Sequence, residues 1–241
     1  MKNLLKSVLM IPAMVLAIVS GSLIAVLICL SARNNTPTIL LDFNGQFVSG
    51  TSWNINGSFT CEGTTLNTAQ MTEIFNRVAE DYRPFRVNVT TEESKYNAAP
   101  AAKRMRVILT ITSSWYGNGA GGVAFVNSFS WGDDTPCFVF TALLNNNVKN
   151  ISEAVAHEAG HTLGLYHQAL YDANCNYVSD YNQGTGSGEI GWAPIMGVGY
   201  YSNFTIWHNG PNAGGCNQIQ NDLDIITSAA NGIVYRTDDH N

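Results

Sequence analysis

The sequence predicts an α/β (α+β) fold in which a layer of strands and helices is followed by an irregular, loop-rich half. Three observations carry that reading. β-Branched and apolar runs alternate with helically periodic segments between Thr38 and Tyr166. The stretch from Gln168 to Gln220 is rich in Gly, Asn and Tyr and has little periodicity. The 241 residues are 45% hydrophobic and 12% charged, which suits one globular unit with a sizeable core and excludes intrinsic disorder.

Residues 1–32 read as a targeting segment, because Lys2 and Lys6 precede an almost wholly apolar run from Ser7 to Leu30. It is either a signal peptide, cut after Ser22, Ser31 or Ala32, or an uncleaved membrane anchor. Both place the remainder outside the cytoplasm, since the lysines stay inside. Bulky Ile28 before Cys29 argues against a lipidated cysteine.

Thr38 to Asp42 reads as a first strand, closed by the turn pair Asn44-Gly45. Met71, Ile74, Phe75, Val78, Ala79 and Tyr82 repeat at the spacing of an amphipathic helix, capped by Thr68 and stopped by Pro84. Phe85, Val87 and Val89 alternate as a strand, and Arg104–Thr112 is another. Gly121–Phe129 and Cys137–Thr141 are further strand candidates. Ile151–Tyr166 is a helix capped by Asn150 or Ser152, and Leu223, Ile226 and Ala230 mark a closing helix that ends at Gly232.

The net charge of −6 repels phosphate backbones, so nucleic acid is excluded as a partner. Apart from Cys29, the cysteines are Cys61, Cys137, Cys175 and Cys216, with no C-x-x-C pair. In an oxidising compartment they imply two disulfides. Four cysteines allow three connectivities, and Cys175–Cys216 with Cys61–Cys137 is the favoured one.

The chemistry lies in HEAGHTLGLYH, His157 to His167. His157 and His161, four apart, fall on one helix face and can reach one ion. Glu158 stands beside them, placed to take a proton from water polarised by that ion. Gly164 can adopt a positive φ, end the helix and bring His167 back as a third ligand. Three neutral nitrogens leave a tetrahedral zinc one open position, the catalytic arrangement. One Zn2+ per chain is therefore expected.

With Gly164 and His167 completing H-E-x-x-H-x-x-G-x-x-H, the sequence resembles the metzincin zinc metallopeptidases. Met196, within Pro194-Ile195-Met196-Gly197, fits their methionine turn, a packing floor below the metal. The runs LDFNG, VAEDYRPFRVNVTT and IMGVGYY look like the secreted reprolysin-like branch. The resemblance implies a twisted, mostly parallel sheet with an antiparallel edge strand, a zinc helix and an irregular C-terminal subdomain with a closing helix. It divides a catalytic domain, 33–241, into an upper part of about 38–167 and a lower part of about 168–241. Two positions depart: Gln168 stands where reprolysins usually carry Asp, and Val198 where astacins and serralysins carry Tyr. Tyr200 and Tyr201 come later, and either stabilise the oxyanion or line the pocket wall.

The implied activity is peptide hydrolysis by a secreted or membrane-tethered monomer, with Glu158 as general base. Substrate would lie extended along Gly122, Val123, Ala124 and Phe125, adding a strand to an exposed edge. The alternative is a catalytically silent binding module on the same fold; Glu158 argues against it, because binding alone needs no base. Asp180–Glu189 offers oxygen ligands for calcium, against the simpler reading of a loop. Asn56, Asn88, Asn150 and Asn203 begin glycosylation sequons, and His208 and His240 are isolated. Arg33–Pro37 is too short, and too poor in Cys or acid, to cap the metal, so activity without a maturation cut is expected.

Overall fold

Alternation along two short strands fills the space on both sides of the sheet. The computed structural model describes residues 35–117 and 119–237. The leader, with Lys2, Lys6 and Cys29, lies outside the described residues. In chain order the strands of the first half are β1 (Thr38–Asp42), β2 (Gly45–Val48), β3 (Phe59–Glu62), β4 (Asn88–Thr90), β5 (Arg104–Thr110), β6 (Gly122–Val123) and β7 (Cys137–Phe140). Helices α1 (Thr68–Asp81) and α2 (Glu93–Ala98) are interspersed, and α3 (Val148–Thr162) follows.

The main sheet has the order β4-β1-β5-β7-β6. It is parallel except for β6, which pairs antiparallel with β7 at one edge. Met105, Val107 and Leu109 of β5 and Cys137 and Val139 of β7 pack with Ile74, Val78, Ile151 and Val155 of α1 and α3. The intervening Ile108, Phe138 and Phe140 belong to a second cluster, covered by the β2–β3 hairpin with Trp53, Phe59 and Trp115. Both faces are buried there, so Val107–Leu109 of β5 and Cys137–Phe140 of β7 read as continuous apolar runs rather than alternating ones.

That alternation also decides the cysteines. Cys175 and Cys216 form a disulfide across 41 residues. Cys61 and Cys137 are free and buried, correcting the expected second bridge. Cys61 lies in the hairpin-side cluster and Cys137 in the helix-side cluster, on opposite faces of the sheet. Side chains directed to opposite faces cannot meet the short Cβ separation that a disulfide demands.

Other elements shift for local reasons. The α1 cap is Asn67, in a reciprocal capping box with Gln70, one residue before Thr68. β4 is only three residues long because Phe85 and Arg86 bond the C-terminal segment instead, Arg86 N–H donating to Val234 O at 2.7 Å. β6 stops at Val123, and the chain then turns through Asn127 (φ 67°) into a 3-10 turn at Ser128–Ser130. α2 had no signal in the sequence reading; Tyr96 anchors it, lying under the guanidinium groups of Arg104 and Arg106.

Among the described residues the irregular half forms three small two-stranded sheets. They pair β8 (Leu170–Tyr171) with β9 (Tyr177–Ser179), β10 (Trp192–Pro194) with β11 (Phe204–Ile206), and β12 (Asn209–Asn212) with β13 (Gly215–Asn221). The closing helix α4 is shorter than expected, Asp222–Ile226. Asn231 Nδ2 donates to the carbonyls of Ile225 and Ile226 and to Leu163 O on the chain after α3, holding the two segments together.

Candidate metal centre

The centre is built on the end of α3. Asn147 caps the helix by accepting from Asn150 N–H at 3.1 Å, so it starts before either expected cap. At the other end Leu165 N–H donates to Gly160 O and Gly164 N–H to His161 O, the Schellman arrangement, with Gly164 at φ 108°. This turn reverses the chain two residues before His167, and it also delivers Leu165 O to His161.

His157, His161 and His167 converge, with ligand nitrogens within 4.8 Å of one another. His157 Nδ1 lies 2.8 Å from Ile195 O, and His161 Nδ1 lies 2.7 Å from Leu165 O. A carbonyl only accepts, so each Nδ1 carries the proton and Nε2 keeps its lone pair for an ion. Burial holds His157 well below its ordinary pKa, brings His161 down to about 4, and lowers His167. Three neutral imidazoles with oriented lone pairs fit zinc.

His167 is held through its neighbours. Tyr166 exchanges two hydrogen bonds with the Gln220 side chain, and Gln168 N–H donates to Met196 O at 2.8 Å. Gln168 is fully buried, its Nε2 donating to Asp222 Oδ1 at 3.1 Å and to His208 O at 3.0 Å. The amide at this position therefore ties the segment that carries the third histidine to α4.

Pro194-Ile195-Met196-Gly197 closes a turn through Gly197 N–H to Pro194 O at 2.9 Å. Met196 is fully buried, and a β-carbon on Gly160 would fall 2.7 Å from its Sδ. The thioether thus packs against α3 between His157 and His161, with no space for a side chain on the helix there.

A pocket of about 230 Å3 opens beside the triad. His157, Glu158, Gly122, Tyr181 and Tyr200 are among its walls, with Glu153 and Ala154 on the α3 side. Glu158 is 7% exposed, and burial pushes its carboxyl up to about 8. Val123 and Phe125 turn to the opposite face, where Phe125 packs 4.0 Å from the Trp53 ring. Tyr201 is 87% exposed and lines no wall of this pocket, unlike Tyr200.

Two pocket residues carried no signal in the sequence reading. The Tyr181 ring lies 4.4 Å from that of His167. It sits in the stretch considered for calcium, which reciprocal backbone bonds between Thr185 and Trp192 pin in place. Glu153 is marked only by its spacing, one helical turn before His157.

Residues 58–168 match the family described as Metallo-peptidase family M12B Reprolysin-like. This stretch contains strands β3 to β7, α3 and the three converging histidines, and the match supports a reprolysin-like metzincin relationship for it. The match supports a metallopeptidase-type domain, and with it a protein or peptide substrate. No curated protein matches the chain. Among solved structures, a chain of the "GM1 bound form of the ECX AB5 holotoxin" is similar at 14% identity. The alignment covers 71% of this chain and 68% of that one, at a TM-score of 0.29.

Proposed function

We propose that this protein is a zinc-dependent endopeptidase acting outside the cytoplasm. The convergence of His157, His161 and His167, with Glu158 buried beside them and an edge strand above, carries the proposal. The three histidines would hold zinc, which when bound would supply a Lewis acid for the scissile carbonyl and for water. Glu158 accepts the proton of the attacking water and later delivers it to the leaving amine. Its position on α3 next to His157 keeps it within reach of the same point. The β6 backbone binds the substrate main chain as an added strand, with Gly122 allowing close approach. Met196 acts as the rigid floor that fixes the helix.

Export is supported by the leader and by the Cys175–Cys216 disulfide, a bond that persists in oxidising compartments. Among the described residues no helix is long and apolar enough to cross a membrane. A silent binding module is the weaker reading, because it gives no reason to bury a carboxylate beside the triad. The test is Glu158→Gln, which should keep zinc bound while turnover falls by about 100-fold to 10,000-fold. Unchanged turnover in that variant sinks the assignment of the base.

A further inference from the structure

The pocket beside the triad extends along α3 away from the histidines. Glu153 lies one turn before His157, about 6 Å along the helix axis. It is 9% exposed. Its Oε1 accepts from Lys149 Nζ at 2.9 Å and from Thr205 Oγ1 at 3.3 Å. Its Oε2 is buried and has no hydrogen-bond partner. A β-carbon built on Gly199, which lines the pocket, would lie 2.8 Å from that Oε2. The unmatched acceptor is therefore directed to the pocket wall.

The walls of this pocket also carry the apolar Ala154, Ile195 and Val198, beside the polar Glu158, Tyr181 and Tyr200. Apolar wall residues together with an unpaired carboxylate oxygen match a side chain with a hydrocarbon stem and a cationic head. We propose that this pocket takes a substrate side chain adjacent to the scissile bond, and that Glu153 selects lysine or arginine there. This rests on the peptidase reading above. An apolar side chain of equal length leaves Oε2 buried and unpaired, and an acidic one meets a like charge; both are disfavoured. Lys149 shares the carboxylate through Oε1, so it moderates the preference without occupying Oε2.

The test compares peptides that differ only in carrying Lys, Arg or norleucine at each position flanking the cleaved bond, using the zinc-loaded full chain. Lys or Arg at one flanking position should raise kcat/KM by about tenfold over norleucine. That ratio should collapse towards unity in Glu153→Gln and grow in Lys149→Gln. Cleavage with no such preference, or a ratio untouched by Glu153→Gln, overturns the inference and leaves the peptidase reading intact. Cleavage of none of the peptides counts against the peptidase reading itself. A second arm needs no turnover: calorimetric titration with n-butylguanidinium should give saturable binding to the wild type, weakened about tenfold in Glu153→Gln. Equal binding to both proteins, or none to either, also overturns the role of Glu153.

Discussion

A β-carbon built on Gly122 would lie 2.6 Å from Glu158 Cγ, so the edge strand and the buried carboxylate occupy space that only glycine leaves free. The same position would clash at 2.8 Å with Phe138 O, so the backbone cannot yield on that side. Gly122→Ala should push Glu158 out of line and lower kcat/KM by about 10-fold to 100-fold, since small misplacements of a reacting group are costly. Zinc content should stay at one per chain. Metal analysis beside kinetics checks this, and full activity in the variant contradicts the packing argument.

His167 is the member of the proposed ligand triad that comes from outside the helix, and its removal separates the triad from the bare helical pair. His167→Ala should weaken zinc binding by well over tenfold, because changes one shell further out already cost about 10-fold to 100-fold. Competition with a chromogenic chelator measures it. Affinity equal to wild type would place the ion elsewhere.

Cys61 and Cys137 define the redox state of the body. Thiol labelling of the denatured, unreduced body should modify two of its four cysteines, and all four after reduction. Burial pushes Cys61 up to about 11 and Cys137 well above the usual thiol value, so labelling of the native protein should be slow. No free thiol after denaturation would restore the second disulfide.

Asp81, at the end of α1, is pushed up to about 8 by burial first and then by the nearby charge of Glu153. A carboxyl whose folded value is raised binds its proton more tightly in the folded state than in the unfolded chain. Between about pH 4, the unfolded value, and about 8, the folded state therefore holds more protons. Its contribution to stability falls as pH rises through that window. Asp81→Asn should flatten this part of the profile and raise stability at neutral pH. Urea titrations of both proteins from pH 5 to pH 8 test it; parallel profiles would contradict the assignment.

The sheet and the three histidines were legible because their signals are local. β1, β5 and β7 carry apolar runs at Ile39–Leu41, Val107–Leu109 and Cys137–Phe140, and the histidine spacing follows from the helix period and the turn at Gly164. Elements fixed by distant partners were not. Phe85 reads as part of a strand until the C-terminal segment claims it, and Cys61 reads as a partner for Cys137 until the sheet separates them. Gln168 looks like a simple departure from the reprolysin Asp. Its amide instead meets the carboxylate of Asp222, 54 residues away, a pairing with no trace in local sequence. Glu153 and Tyr181 reach the pocket only once the lower half folds against α3.

The most direct measurement is cleavage of a broad peptide library by the purified protein, before chelation, after chelation and after zinc is restored. The account predicts cleavage that disappears with the chelator and returns with zinc at one equivalent per chain. A folded, fully zinc-loaded protein that cleaves no peptide would contradict it.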